Sequence, residues 1–123
     1  MKRFGAAALR VIHATKYLRI RCGAEHRHIA IWVVVVDGRV LVRPWNNRRT
    51  GWYRAFLEEP RGSAQVGERD VPVRARPVRG EKLNDAVDQA YSEKYTTKAN
   101  RKYVEGFAAA KRRATTMELV PLQ

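Results

Sequence analysis

The sequence predicts an α+β fold: a small mixed or antiparallel barrel of about six strands, with an N-terminal helix and one longer helix near residues 81–95. Three observations carry this. Ile31–Val36 is a β-branched and aromatic run that ends in Asp37-Gly38, and a second apolar run follows it. Several short stretches elsewhere alternate apolar and polar residues with period two. One long window, Leu83 to Tyr95, repeats its apolar residues at helical spacing. At 123 residues the chain is expected to be a single domain over 1–123, with room for one core and not for two.

The elements follow in order. Phe4, Ala8, Val11 and Ile12 share one face of a short amphipathic helix. Leu18, Ile20 and Cys22 alternate with Arg19 and Arg21, the mark of a half-buried strand. Ile29–Val36 reads as one strand, and its Val run suits a strand covered on both faces. Asp37-Gly38 is a type I′ turn signal, so Trp32–Val36 should pair with Val40–Arg43. Asn46–Gly51 is a polar loop, and "GWYRAFLEEP" is a helical turn stopped by Pro60. A short strand is expected at Ser63–Val66. Another is expected at Val71–Pro77, where two prolines argue for a sheet edge. Leu83, Ala86, Val87, Ala90, Tyr91 and Tyr95 form the stripe of the long helix, with Asp85 and Asp88 early where the helix dipole favours them. Thr96–Arg113 reads as an irregular basic connection with a short helix at Phe107–Lys111. Thr115, Met117 and Leu119 then alternate to close the chain as a strand before Pro121.

Composition narrows the function classes. No apolar run approaches the roughly 18 residues of a membrane span. A lone cysteine, Cys22, excludes a disulfide framework and a cysteine zinc cluster, and its place on an apolar alternation makes it a core residue. A reducing, cytoplasmic setting is expected. The first residues are basic and free of acid, as in a transit peptide, but their periodicity favours an integral first helix. The net charge of +13 is the loudest compositional fact; it attracts anions without specifying one. Of the 25 basic residues, 18 are arginines scattered along the chain, so nucleic-acid binding is expected to be weak and non-specific. No G-x-S-x-G, Walker loop or G-x-G-x-x-G occurs. His13, His26 and His28 lack metal-ligand spacing, so no metal is expected, and no catalytic residue declares itself.

What remains is an aromatic and cationic set: Arg43-Pro44-Trp45, Trp52-Tyr53-Arg54, Lys94-Tyr95 and Thr115-Thr116. Flat aromatic faces suit a ring, arginine and lysine suit an anionic tail, and threonine hydroxyls complete phosphate contacts. The same residues also suit aromatics capping a barrel end with cations reaching outward. At Ile31–Arg43, Trp52–Arg54, Asp85–Tyr95 and Ala114–Pro121 the chain resembles a bacterial domain family of unknown function. That family is similar in turn to the split barrels that bind flavin mononucleotide (FMN) or the deazaflavin coenzyme, namely the pyridoxamine-phosphate-oxidase-like proteins and deazaflavin-dependent nitroreductases. The resemblance spans roughly residues 4 to 121. It implies a split barrel in which Arg43 anchors an anion at the cofactor groove, with Trp52, Tyr53, Arg54, Lys94, Tyr95, Thr115 and Thr116 around it. Where relatives place a serine after the hairpin arginine, this chain has Pro44-Trp45, which loses a hydroxyl and adds a bulky ring.

The resemblance implies a small-ligand or cofactor-binding protein, with a flavin- or deazaflavin-dependent oxidoreductase as its enzymatic form, an anionic aromatic molecule as ligand and a homodimer as one assembly. Two other readings stay open from the residues: a basic nucleic-acid-binding module, and a cofactor-free barrel in specialised metabolism. One barrel can host all three.

Overall fold

The computed structural model describes residues 3–122. Its core is a seven-stranded antiparallel sheet. After α1 (Ala6–Ala14) come β1 (Leu18–Cys22), β2 (Ile29–Ile31), β3 (Val34–Val36) and β4 (Arg39–Val42). Then follow α2 (Trp52–Glu58), β5 (Arg61–Val66), β6 (Arg69–Pro77) and the long α3 (Glu81–Lys94). A 3-10 turn (Lys98–Asn100), α4 (Arg101–Phe107), α5 (Ala110–Arg113) and β7 (Met117–Pro121) complete the chain. The α+β class, the N-terminal helix and the helix near 81–95 are as the sequence predicts; the strand count is one higher.

The extra strand comes from a break that the sequence conceals. Ile29–Val36 is not one strand. The order across the sheet is β2-β1-β5-β6-β7-β4-β3, so β2 and β3 lie on opposite edges although two residues separate them. Three Cα steps, from Ile31 to Val34, span at most roughly 11 Å. The two edges must therefore approach each other, and the sheet curls into a half-barrel whose seam is Trp32-Val33. Val33 is buried there with no ladder partner, and side chains take over its hydrogen bonds. Its N–H donates to Tyr95 Oη at 3.0 Å, and its carbonyl accepts from Lys94 Nζ at 2.8 Å. Trp32 leaves the sheet and stacks on Tyr95, with ring centroids 3.9 Å apart and planes 3° from parallel.

The hairpin forms as its turn chemistry requires. Val34 pairs with Leu41, Val35 with Val40 and Val36 with Arg39. Asp37 and Gly38 have φ of 50° and 76°, the left-handed region that the type I′ turn needs.

Strand β6 corrects a second expectation. It is not an edge but lies between β5 and β7. Its prolines fit because each falls where no ladder donor is needed. Pro72 uses its carbonyl to accept from Leu122 just past the end of β7, and Pro77 closes β6. Residues 96–113 are also more regular than expected, since α4 and α5 occupy most of them. The closing strand begins at Met117, leaving Thr115 and Thr116 in the turn before it, and it is buried along its whole length.

Two apolar layers result. Ile20, Val40, Val42, Ala64, Val73, Met117 and Leu119 cover one face of the sheet, closed by Ile12 of α1 and Phe56 of α2. On the opposite face, Val34 and Leu41 meet Val87 and Tyr91 of α3 and Phe107 of α4. No helix among the described residues is long and apolar enough to cross a membrane.

The seam makes a clear prediction. Tyr95→Phe keeps the stack on Trp32 but leaves the buried Val33 N–H without an acceptor, which should cost about 1–3 kcal/mol. Urea unfolding checks it: the midpoint should fall with the m-value unchanged.

Candidate functional site

Arg43 follows β4 on the face covered by α3, and it is 2% exposed. A buried guanidinium must have its N–H groups satisfied and its charge matched, and here both conditions are met by the protein. Nε donates to Thr116 Oγ1 at 2.8 Å. Nη1 donates to Asp88 Oδ1 and to the Phe107 carbonyl at 2.9 Å. Nη2 donates to Asn84 Oδ1 at 2.9 Å and to the Asn84 carbonyl at 3.2 Å. An arginine has five N–H groups, and all are used. Asp88 is shared with Arg113, which also reaches Asp85 at 2.9 Å and Glu81 at 3.1 Å. The acids early in α3 thus serve this network as well as the helix dipole.

Beside this hub lies a cleft of about 620 Å³. Its walls come from the free edge of β2, the loop after β4, the start of α2 and the inner side of α4. Six aromatic side chains line it: Tyr17, Trp32, Trp45, Trp52, Tyr103 and Phe107. Arg43, Arg48, Asn46, Thr50 and Asn100 also reach its lining, which contains no acidic residue. Arg48 is exposed and makes no ion pair among the described residues.

Trp45 is braced on several sides. It is 40% exposed, an unusual degree for so large an apolar group. Yet Arg112 lies 3.7 Å over its ring and donates through Nε to its carbonyl at 2.7 Å. Tyr103 and Phe107 meet it edge-on at 5.3 and 5.1 Å. The indole sits so close to α4 that a Cβ on Gly106 would lie 2.5 Å from its Cη2. A glycine in a helix interior costs stability, and here it admits the ring.

The structure divides the residues singled out from sequence. Arg43 and Trp52 border the aromatic cleft. Lys94 and Tyr95 border a separate cleft of about 660 Å³, with His13, Lys16, Glu93 and Thr97. The stacked rings of Trp32 and Tyr95 stand between the two. Tyr53 packs against the core, and the exposed Arg54 donates to Asn47 Oδ1 at 2.6 Å. Thr115 and Thr116 are occupied in the turn after α5, where their hydroxyls bond the Arg112 and Arg113 carbonyls. The single groove expected for Arg43, Trp52, Arg54, Lys94 and Tyr95 is therefore corrected to two clefts and an exposed helix side. Arg43 has no N–H left with which to anchor an anion. Tyr17, Trp32, Arg48, Tyr103 and Phe107 were not singled out, whereas Trp45 was, within Arg43-Pro44-Trp45. Trp32 and Trp45 were visible as hairpin flanks, but Tyr103 and Phe107 needed α4 to be recognised as a helix.

Lys94 Nζ is held by the Val33 carbonyl and, at 3.2 Å, by the Ile12 carbonyl near the end of α1. Burial pulls its pKa down to about 8, and burial also pushes the Tyr95 phenol up to about 12. Among the described residues no three His, Cys, Asp or Glu side chains converge as a metal site.

A profile of a family described as "Uncharacterized protein conserved in bacteria" matches residues 8–119. No curated protein matches. The conserved hypothetical protein Rv2991 from Mycobacterium tuberculosis superposes with a TM-score of 0.60 at 14% identity, over 100% of this chain and 86% of that one. An FAD-binding protein, mll6688 from Mesorhizobium loti, superposes with a TM-score of 0.53 at 14% identity, over 97% of this chain and 89% of that one. Identities this low carry the fold alone.

Two predictions follow from the hub and the seam. Asp88→Asn leaves the buried Arg43 without a carboxylate while Arg113 keeps Asp85 and Glu81, and the loss should be about 3 kcal/mol, measured by chemical unfolding at neutral pH. Lys94 has a folded pKa below its unfolded value of 10.5. Between about pH 8 and 10.5 the unfolded chain binds more protons at this residue, so its contribution to stability rises with pH through that window. The unfolding free energy of the wild type minus that of Lys94→Met should therefore rise between about pH 8 and 10.5 and level off above that window.

Proposed function

The chain belongs to that bacterial family, DUF2255, and on this premise we propose that it is a ligand-binding half-barrel whose aromatic cleft takes a flat, anionic ring compound of the flavin class. One observation carries the reading: a cleft of about 620 Å³ is walled by six aromatic side chains, edged by arginine and free of acid. That volume is in the range of small-molecule sites. Flavin binding by a protein of the same fold supports it.

The residues fit such a molecule. Trp45 offers a ring face fixed in advance by Arg112, so little entropy is lost on stacking. Trp32, held by Tyr95, and Trp52 supply further apolar wall. Asn46 and Thr50 can bond the polar edge of a ring, and Arg48 is the free cation for a phosphate. Arg43 acts from behind, by holding α4 and the Phe107 backbone in place. A bound flavin or deazaflavin would supply hydride or single-electron transfer; the chain's own residues bind it, orient it and exclude water. On this reading the protein is an oxidoreductase that uses FMN or the deazaflavin coenzyme, and the scattered arginines give nucleic acid only a weak, salt-sensitive hold.

The test is a titration of riboflavin, FMN, FAD and the deazaflavin coenzyme into the protein, read by calorimetry. At least one phosphorylated form should bind. Trp45→Ala should weaken every form about tenfold, within the energy of one ring stack. Arg48→Gln should weaken FMN and spare riboflavin. Failure of all four to bind at millimolar concentration contradicts the reading. So does tighter binding of a single-stranded oligonucleotide at physiological salt.

A further inference from the structure

Glu118 is the second residue of β7, on the outer face of the sheet and away from the aromatic cleft, and its side chain is fully buried. Three arginines from three segments surround it. Arg39 donates through Nε and Nη2 to Oε1, at 3.2 and 2.9 Å. Arg76 donates through Nη2 to the same oxygen at 3.0 Å. Arg3, on the segment before α1, places Nε 3.5 Å from Oε2. Burial alone would raise the Glu118 pKa, but the hydrogen bonds from Arg39 and Arg76 outweigh it and hold the carboxyl below its usual range, so the group is ionised at neutral pH. Three guanidinium groups thus face one carboxylate, and the cluster has more positive charge than it neutralises.

Its hydrogen bonding is incomplete in a specific way. Oε1 takes every donor from Arg39 and Arg76, while Oε2 has no hydrogen-bond partner among the described residues. Arg76 Nε is likewise buried without an acceptor. One cluster therefore holds an orphaned donor, an orphaned acceptor and unmatched positive charge. A chloride ion or a sulfate would meet the donor and the charge but could not donate to Oε2. The group that satisfies all three is an oxyanion that keeps a proton. Arg3, whose side chain is 45% exposed, covers Oε2 and is the group that must swing outward to admit it.

We infer that Arg3, Arg39, Arg76 and Glu118 form a binding site for inorganic hydrogenphosphate, separate from the aromatic cleft. The phosphate oxygens accept from the arginines, the phosphate O–H donates to Glu118 Oε2, and Arg3 closes over the bound ion. A phosphomonoester loses its last proton above about pH 6, so at pH 8 it lacks the donor that the site requires.

Calorimetric titration of the full chain with inorganic phosphate, sulfate and methyl phosphate at pH 8 tests this. Phosphate should bind at least about tenfold tighter than either competitor, because a site built around a ligand O–H rejects an anion without one. Arg39→Gln and Arg76→Gln should each weaken phosphate about tenfold through loss of a charge-assisted bond. Arg79→Gln, an exposed arginine outside the cluster, should change nothing. Glu118→Gln replaces the acceptor by an amide that can also donate, and should abolish the preference of phosphate over sulfate. If that variant does not fold, the wild-type ratio of phosphate to sulfate affinity decides. Equal binding of sulfate and phosphate, or an Arg79→Gln effect as large as that of Arg76→Gln, overturns the inference.

Discussion

The buried guanidinium of Arg43 sets the terms for the rest of this molecule. Taking its charge out of water costs several kcal/mol, and only near-complete hydrogen bonding with a paired carboxylate offsets that. The partners come from Asn84 and Asp88 of α3, the Phe107 carbonyl at the end of α4 and Thr116 ahead of β7. None of these segments can shift without stranding a donor. The hub therefore fixes two helices against the outer face of the sheet. It also fixes the position of Phe107, against which Trp45 leans. A residue that touches the cleft with no free N–H still determines the shape of the cleft.

Several of the 25 basic residues are built into the fold in the same manner. Arg113 ties α5 to three acids of α3, Arg112 braces Trp45, and Arg39 and Arg76 converge on Glu118. Arg112 and Arg113 are structural ties, so a count of basic residues alone overstates the basic surface available to a partner. In the aromatic cleft, Arg48, which has no ion pair among the described residues, is the cation to weigh in an argument about its ligand.

The sequence made the architecture legible wherever the cause is local. The Asp37-Gly38 turn, the apolar stripe of α3 and the alternation in β1 each act over a few residues, and each formed as read. The break at Trp32-Val33 could not be read that way. Both flanks are β-branched and apolar, and the chain is held there by Tyr95 and Lys94 some sixty residues onward. The prolines of β6 misled for a related reason: whether a missing N–H matters depends on where the neighbouring strand ends. In the candidate site, the aromatic and cationic chemistry was visible while its membership was not. Arg43 and Arg48 look alike in sequence, and only the partners supplied by α3, α4 and the turn before β7 show that one is saturated and the other free.

The central claim is that Arg43 holds the cleft's wall while the ligand is met by Trp45 and Arg48. Hydrogen exchange at the arginine Nε–H groups, followed by nuclear magnetic resonance with and without FMN, tests it directly. The account predicts that the Arg43 Nε–H is protected like the core amides of β4 and is unaffected by ligand, while the Arg48 signal exchanges fast when free and responds to binding. An Arg43 Nε–H that exchanges at the rate of exposed arginines, or that shifts more than Arg48 when FMN is added, would contradict it.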